Sequence, residues 1–137
     1  MRGTHDTHGT FRIIVWRFGI CEERGSGLDK VIHEAEVFQL PPPLLRSSDE
    51  AMQVFIYCPR KFGQMTADER VRACYQHAIL KWCNESKLTN RSLRDRLGIA
   101  DQNAAQASTV IKNALDRGLI KTADEKHPRS GYLPFWA

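Results

Sequence analysis

The sequence has no closely spaced pair of cysteines and no long apolar run. Its four cysteines, Cys21, Cys58, Cys74 and Cys83, stand far apart. Because a structural metal ion usually takes two ligands from one turn, this spacing argues against a metal site and favours reduced, mostly buried thiols. No apolar stretch is long enough to span a bilayer, and none has the order of a secretory signal peptide. We therefore expect a cytoplasmic protein without a metal ion or a membrane partner.

Motifs of the common hydrolytic and nucleotide-dependent enzymes are also missing. The sequence contains neither GxxxxGK[S/T] nor HExxH. The acidic pair at residues 49–50 lacks the preceding apolar strand of a helicase motif, and no Ser/His/Asp set or carboxylate pair forms a recognisable catalytic arrangement. We expect this chain not to be an enzyme.

Positive charge is scarce in the first half of the chain and concentrated in the second. Residues 1–69 carry eight Lys/Arg and ten Asp/Glu, whereas residues 70–137 carry twelve and six. A basic half with a net charge of +6 favours a polyanionic partner such as double-stranded DNA, although an ordinary solvated surface can carry the same charge.

The first half of the chain predicts a helix and a strand. Residues 1–10, with Met-Arg-Gly and spaced histidines, resemble a tag-like leader, and residues 11–20 suit either a strand or a helix. Apolar residues at helical spacing predict a helix over residues 28–37, which the prolines at 41–43 cannot continue. Residues 51–59 are rich in β-branched and aromatic types and predict a strand, after which a polar stretch marks a boundary.

The second half begins with two predicted helices. Thr66 and Glu69 form a capping box, in which each side chain accepts a hydrogen bond from the backbone amide of the other residue. Apolar residues then recur at helical spacing up to residue 82. A shorter helix over residues 91–97 follows, and either Thr89 or Asn90 can cap it.

A turn at Gly98 leads into a third predicted helix, over residues 103–117, with Asp101 as its cap and Gly118 as its end. Strands in LIKT and YLPFW, joined by a polar loop, complete the element order of a winged helix-turn-helix over residues 64–137. The buried stripe of the third helix is expected at Ala107, Val110, Ile111, Ala114 and Leu115.

Helix geometry sets the outward face of the third helix opposite its apolar stripe. Gln and Asn can pair with adenine edges, Lys can reach guanine or phosphate, and Thr can touch a thymine methyl group. Arginines of the second helix, Arg96 among them, and basic residues at the wing tip are placed to hold phosphates. The candidate DNA-binding residues are Arg91, Arg94, Gln102, Gln106, Thr109, Lys112, Asn113, Lys126 and Arg129.

A short glycine-rich segment, Gly25, Ser26 and Gly27, precedes the helix predicted over residues 28–37. Unobstructed backbone amides at the start of a helix suit a phosphate group. A tight turn that lets the helix pack explains the same residues, so both interpretations stay open on the pattern alone.

Five stretches together resemble one known bacterial family, the ATP-binding transcriptional regulators related to the RecG C-terminal region. They are RFGICEERGSGLDKVI, MQVFIYCPRKF, MTADERVRACYQHAILKW, LTNRSLRDRLGI and the terminal YLPFWA. The resemblance covers residues 17–137. It implies a three-part parent protein with an AlbA/Schlafen-type domain, a GHKL-like ATP-binding domain and a C-terminal winged helix. This chain is then the C-terminal fragment, with residues 11–63 as the remnant of the GHKL-like domain.

In that family, the segment matching Gly25, Ser26 and Gly27 is similar to the second glycine box of GHKL ATPases, which lies beside the nucleotide phosphates. The resemblance thus implies cofactor-binding residues for ATP and magnesium in the parent. This sequence lacks the upstream half of such a domain, including its magnesium-binding Asn and adenine-reading Asp, and FRIIVW departs from the helical segment expected there. We therefore expect no cofactor for the chain by itself.

The combined prediction is an α+β chain in which a partial α/β remnant precedes a winged helix-turn-helix. Its expected function is to bind duplex DNA through the third helix and the wing, as the output module of a transcriptional regulator. Two alternatives remain. One is a protein-interaction or homodimerisation module in which the third helix or the N-terminal segment docks on a second copy, an interpretation that an exposed edge of the strand at residues 52–57 favours. The other is the C-terminal part of an ATP-dependent, helicase-related protein.

Overall fold

The computed structural model describes residues 2–5, 10–16, 26–49 and 51–137. Over these residues the chain forms four helices and two small antiparallel sheets, an α+β architecture. It divides into two compact units, Met1–Arg60 and Lys61–Ala137. No helix within the described ranges is both long and apolar enough to cross a membrane.

The first unit has one sheet and one helix among its described residues. The elements are β1 (Arg2–His5), β2 (Thr10–Trp16), α1 (Ser26–Val37), β3 (Leu44–Ser47) and β4 (Ala51–Tyr57). The sheet is antiparallel throughout, and its strands lie in the order β1-β2-β4-β3.

Pairing with β4 makes the first part of the ambiguous segment at residues 11–20 a strand, because β2 forms a seven-residue antiparallel ladder over Thr10–Trp16. Residues 17–20 lie outside the described residues. β4 was predicted as a strand with an exposed edge. That part of the prediction is wrong, since β4 lies between β2 and β3 and is paired on both sides. β4 therefore offers no open edge through which to recruit a second copy.

Two elements of the first unit were not predicted. β3 is a four-residue strand that directly follows the buried prolines at residues 41–43. β1 lies inside the segment treated as a leader and pairs with β2. Both strands are short and carry little sequence signal of their own, so pairing with a longer neighbour defines them.

The second unit contains three helices followed by an antiparallel hairpin, in the order that the sequence predicts. Short 3-10 turns at Phe62–Gln64, Asp101–Asn103 and Pro128–Ser130 lie between these elements. The elements are α2 (Ala67–Cys83), α3 (Asn90–Leu97), α4 (Ala104–Asp116), β5 (Ile120–Thr122) and β6 (Tyr132–Pro134).

The start of α2 confirms the predicted capping box. The Glu69 amide donates to Thr66 Oγ1 at 3.2 Å, and the Thr66 amide donates to Glu69 Oε2 at 2.8 Å. Of the two alternatives for α3, Thr89 is the cap and accepts a hydrogen bond from the Ser92 amide at 3.1 Å. Gly98 ends α3 with a φ of 66°, a conformation that glycine adopts without a steric penalty.

Asp101 does not cap α4, so this part of the prediction is wrong. A 3-10 turn occupies Asp101–Asn103, the N-cap position falls on Asn103, and no side chain accepts a hydrogen bond there. The carboxylate of Asp101 instead pairs with Arg94 on α3.

The core of the second unit lies where α2, α3 and α4 meet. Ala73 of α2 and Ala107 and Ala114 of α4 are all fully buried, and their small side chains let the helix axes approach closely. Larger side chains fill the space around them. The core residues are Met65, Val71, Ala73, Cys74, Ala78, Leu88, Leu93, Leu97, Ile99, Ala107, Val110, Ile111, Ala114 and Ile120.

The hairpin is joined to the segment that links α2 and α3. Leu88 donates from its amide to Tyr132 O at 3.0 Å and accepts from the Tyr132 amide at 2.8 Å. This bridge adds one residue of a third strand beside β6. The loop before α3 and the hairpin are therefore held together by backbone hydrogen bonds.

The C-terminal residues pack on α2 through aromatic contacts. The Trp136 indole donates to Tyr75 Oη at 3.1 Å, and its ring lies 5.1 Å from that of Trp82 in an edge-on arrangement. Phe135 stacks on Tyr75 at 6.4 Å. Trp82, Phe135 and Trp136 each remain about half exposed.

The cysteines differ from the expectation of mostly buried thiols. Cys74 is fully buried in the core, and burial raises the pKa of its thiol to about 12. Cys58 and Cys83 are exposed because each lies at the end of an element, beyond the packed part. Cys21 is outside the described residues.

Gly131 offers a test of the hairpin's attachment. Its φ is 141°, and a Cβ there would lie 2.8 Å from Lys87 Cβ. We expect Gly131→Ala to lower the free energy of unfolding by about 1–3 kcal/mol, because both the backbone strain and the overlap must be relieved. Gly63→Ala is the matched control, since nothing lies within 4 Å of the added atom. Urea unfolding curves measure both variants, and equal midpoints would contradict the expectation.

Candidate nucleic-acid interface

The outward face of α4 is polar and accessible. Burial of Ala107, Val110, Ile111 and Ala114 turns the opposite side of the helix to solvent. All the predicted base-contacting residues of this face are exposed, including Gln102 in the turn before the helix. They are Gln102, Gln106, Thr109, Lys112 and Asn113.

One flank of this face borders a groove of about 250 Å³ in the second unit. Gln106, Thr109 and Asn113 line its α4 side. On the other side, Arg70 donates from Nε and Nη2 to Phe62 O at 3.2 and 2.9 Å, and its guanidinium lies 4.1 Å from the centre of the Phe62 ring. Arg70 thus fixes the turn that forms the opposite wall.

Sequence reasoning missed this groove. The groove depends on the turn at residues 62–64 packing back onto α2, and neither Phe62 nor Arg70 belongs to a pattern that marks such a contact. Helical spacing assigns Arg70 to the polar side of α2 and gives no partner for it.

The three arginines of α3 have different environments. Arg91 is exposed, as a phosphate contact requires. Arg96 is only 4% exposed, so the expectation that it holds a phosphate is wrong. Arg96 falls on the same side of the short helix as Leu93 and Leu97, and that side faces the core.

Arg94 is largely enclosed and already bound within the protein. Its side chain is 14% exposed, compared with 96% for its partner Asp101. Nε donates to Asn90 Oδ1 at 2.9 Å, and Nη1 donates to Asp101 Oδ1 at 2.5 Å. Its predicted role as a phosphate contact therefore competes with an existing ion pair.

Asn90 connects α3 to the start of α4. Its Nδ2 donates to Ala104 O at 3.0 Å and to Ser108 Oγ at 2.9 Å, while its Oδ1 accepts from Arg94. We call the side chains of Asn90, Arg94, Asp101 and Ser108 the α3–α4 polar link. It fixes the angle at which α4 presents its outward face, and no spacing rule in the sequence reveals it.

The loop between β5 and β6 carries charges of both signs. Lys126 and Arg129 are exposed there, as expected for the predicted wing tip. Asp124 accepts from the Lys126 amide at 2.8 Å, and its other oxygen lies 2.9 Å from His127 Nδ1. The hydrogen bond with His127, more than that with the Lys126 amide, lowers the pKa of the Asp124 carboxyl group.

In the first unit, the candidate phosphate loop is described only in part. Gly25 is outside the described residues, Ser26 begins α1, and Gly27 is exposed in its first turn. A groove of about 250 Å³ beside α1 has a mainly apolar lining, which includes Val31, Leu40 and Ile56. No cluster of three metal-ligating side chains occurs among the residues that the structure describes.

Comparison with known protein families finds a similarity in the first unit. The family model described as "Putative ATP-dependent DNA helicase recG C-terminal" matches residues 11–56, about a third of the chain. No curated protein and no solved structure shows significant similarity to the chain. The match supports the relation to RecG-type, ATP-dependent helicase-related proteins for the segment it covers.

The α3–α4 polar link gives a prediction for stability. Asn90→Ala removes three hydrogen bonds and leaves Arg94 Nε without its acceptor, so we expect a loss of about 1–3 kcal/mol in the free energy of unfolding. Ser108→Ala removes one acceptor of Asn90 and a long hydrogen bond from Ser108 Oγ to Ala104 O at 3.3 Å, and should cost about 1 kcal/mol or less. Chemical denaturation compares the two. An Asn90→Ala protein as stable as the Ser108→Ala protein would show that the link does not brace α4.

Proposed function

We propose that the second unit, Lys61–Ala137, is a winged-helix module that binds double-stranded DNA, with α3 and α4 as its helix-turn-helix and the β5–β6 hairpin as its wing. The single observation that carries the proposal is the exposed row of amide, hydroxyl and amine side chains along α4. The element order and the tight turn at Gly98 support the fold assignment.

The side chains on α4 suit the major groove. Gln106 and Asn113 can each donate and accept in a paired contact with adenine, and Lys112 can donate to guanine. Ala105, exposed on the same side, adds little bulk between the helix backbone and a base edge. Sequence discrimination is therefore assigned to α4.

Positive charge around α4 supplies the expected phosphate contacts. Arg91 is exposed on α3, and Lys126 and Arg129 are exposed in the wing loop. The excess of twelve Lys/Arg over six Asp/Glu in residues 70–137 favours association with a polyanion. On the resemblance to the regulator family, we propose that this unit is the DNA-binding part of a transcriptional regulator and has no catalytic activity of its own.

The first unit supports a second candidate function. The family match over residues 11–56 favours the interpretation that this unit is the C-terminal part of a nucleotide-binding domain in an ATP-dependent, helicase-related protein. Among its described residues, only the backbone at the start of α1 is suited to a phosphate, and the neighbouring groove is mainly apolar. These residues do not fit a complete nucleoside triphosphate, so we assign ATP and magnesium binding to a larger domain that includes them.

DNA binding is tested with a duplex selected from random sequences. We expect the double variant Gln106→Ala/Lys112→Ala to bind the selected duplex about 10- to 100-fold more weakly and to change little on unrelated duplexes. Arg91→Ala should weaken binding to all duplexes alike. It should also make the slope of log K against log salt concentration less steep by about 1, because one phosphate contact is lost. Fluorescence anisotropy at several salt concentrations measures both effects.

Lys30→Ala is the matched control, since it removes one exposed positive charge from α1 in the first unit. Its binding should equal that of the wild-type protein. A wild-type protein that shifts no genomic fragment at low salt, or whose affinity does not depend on salt, would contradict the proposal.

The nucleotide proposal is tested by calorimetry. Titration of this chain with ATP and Mg²⁺ should release no heat that indicates micromolar affinity, because the described residues supply too few phosphate donors. ADP with Mg²⁺ serves as the comparison. Micromolar binding of either nucleotide would show that the first unit holds a complete site.

A further inference from the structure

We propose that Asp101 limits the sequence-independent affinity of the protein for DNA, because it neutralises Arg94 and so withholds one phosphate contact. This role of Asp101 rests on the proposed DNA-binding function. It makes Asp101 a determinant of the affinity of the protein for the phosphate backbone of any duplex. It follows from the geometry of one ion pair at the start of α4.

The two members of the ion pair are exposed to very different degrees. Arg94 donates a hydrogen bond from Nε to Asn90 Oδ1, and only 14% of its side chain is exposed. The Asp101 side chain is 96% exposed and stands in the turn that leads into α4. The solvent-exposed part of this ion pair is therefore mostly the carboxylate.

A DNA phosphate and the Asp101 carboxylate are alternative acceptors for the same group. Guanidinium forms charge-assisted hydrogen bonds of similar geometry with carboxylates and phosphates. Arg94 Nη1 already donates to Asp101 Oδ1. A phosphate that takes this hydrogen bond must displace a carboxylate of the same charge, and as long as the pair persists Arg94 contributes no net positive charge to the interface.

The location of the pair makes this competition relevant to DNA. Gln102, a candidate base contact, is the next residue in the same turn, and Arg91 lies one helical turn before Arg94 on α3. A backbone phosphate that passes Arg91 and the start of α4 comes close to the ion pair. The exposed carboxylate opposes this phosphate on every duplex, whatever its sequence.

The test compares two variants that remove the same charge. Asp101→Asn keeps the shape of the side chain but removes the charge that neutralises Arg94, whereas Asp116→Asn removes a carboxylate that is exposed at the other end of α4. We expect Asp101→Asn to bind unrelated duplexes about five- to tenfold more tightly at low salt, with a slope of log K against log salt steeper by about 0.9. Asp116→Asn should give a smaller gain and an unchanged slope.

A double variant links the gain to the arginine. Arg94→Gln/Asp101→Asn should lose the additional affinity and the additional slope of Asp101→Asn, with thermal unfolding used to confirm that each protein is folded. If the double variant does not fold, the comparison of Asp101→Asn with Asp116→Asn still tests the role of Asp101.

The outcomes separate this inference from the proposed function. A wild-type protein that binds duplex DNA, together with an Asp101→Asn variant that behaves like Asp116→Asn or like the wild type, overturns the role of Asp101 alone. A chain that binds no duplex at low salt in either form overturns DNA binding and the role of Asp101 together. A gain with a steeper slope that depends on Arg94 supports both.

Discussion

Burial of three alanines in the core where α2, α3 and α4 meet is the constraint on which the second unit depends. Ala73, Ala107 and Ala114 have no exposed surface, and a larger side chain at any of them would push the helices apart. Because Ala107 and Ala114 lie on the buried side of α4, this packing also decides which side chains of α4 face solvent. The polar row from Gln106 to Asn113 is thus a consequence of the core as much as of its own sequence.

Most helix ends of the second unit and the buried stripe of α4 are encoded locally, and for this reason the sequence predicts them well. A capping box, a left-handed glycine and an apolar stripe each need only residues within one or two turns. The start of α4 is the exception. Asp is a residue type that often caps helices, but the Asp101 carboxylate pairs with Arg94 instead of capping α4. Its partner lies on another helix.

Features that depend on distant partners could not be predicted. β1 and β3 are defined by their pairing with β2 and β4. The groove beside α4 forms because the turn at residues 62–64 folds back towards that helix. Arg96 is buried because the short helix α3 turns this residue towards the core. The candidate site was predictable at the level of the exposed α4 row. Its support, the α3–α4 polar link, was not, because hydrogen bonds between side chains on different helices leave no periodicity in a single sequence.

The bridge between Leu88 and Tyr132 has a mechanical consequence. It attaches the hairpin to the chain immediately before α3, and Gly131 allows the two backbones to lie in contact at that point. Two backbone hydrogen bonds therefore hold the start of α3 and the β5–β6 hairpin at a fixed span. On the proposed function, a duplex whose curvature does not match this span must itself bend, and the stiffness of its base steps would contribute to the choice of sequence without any direct contact.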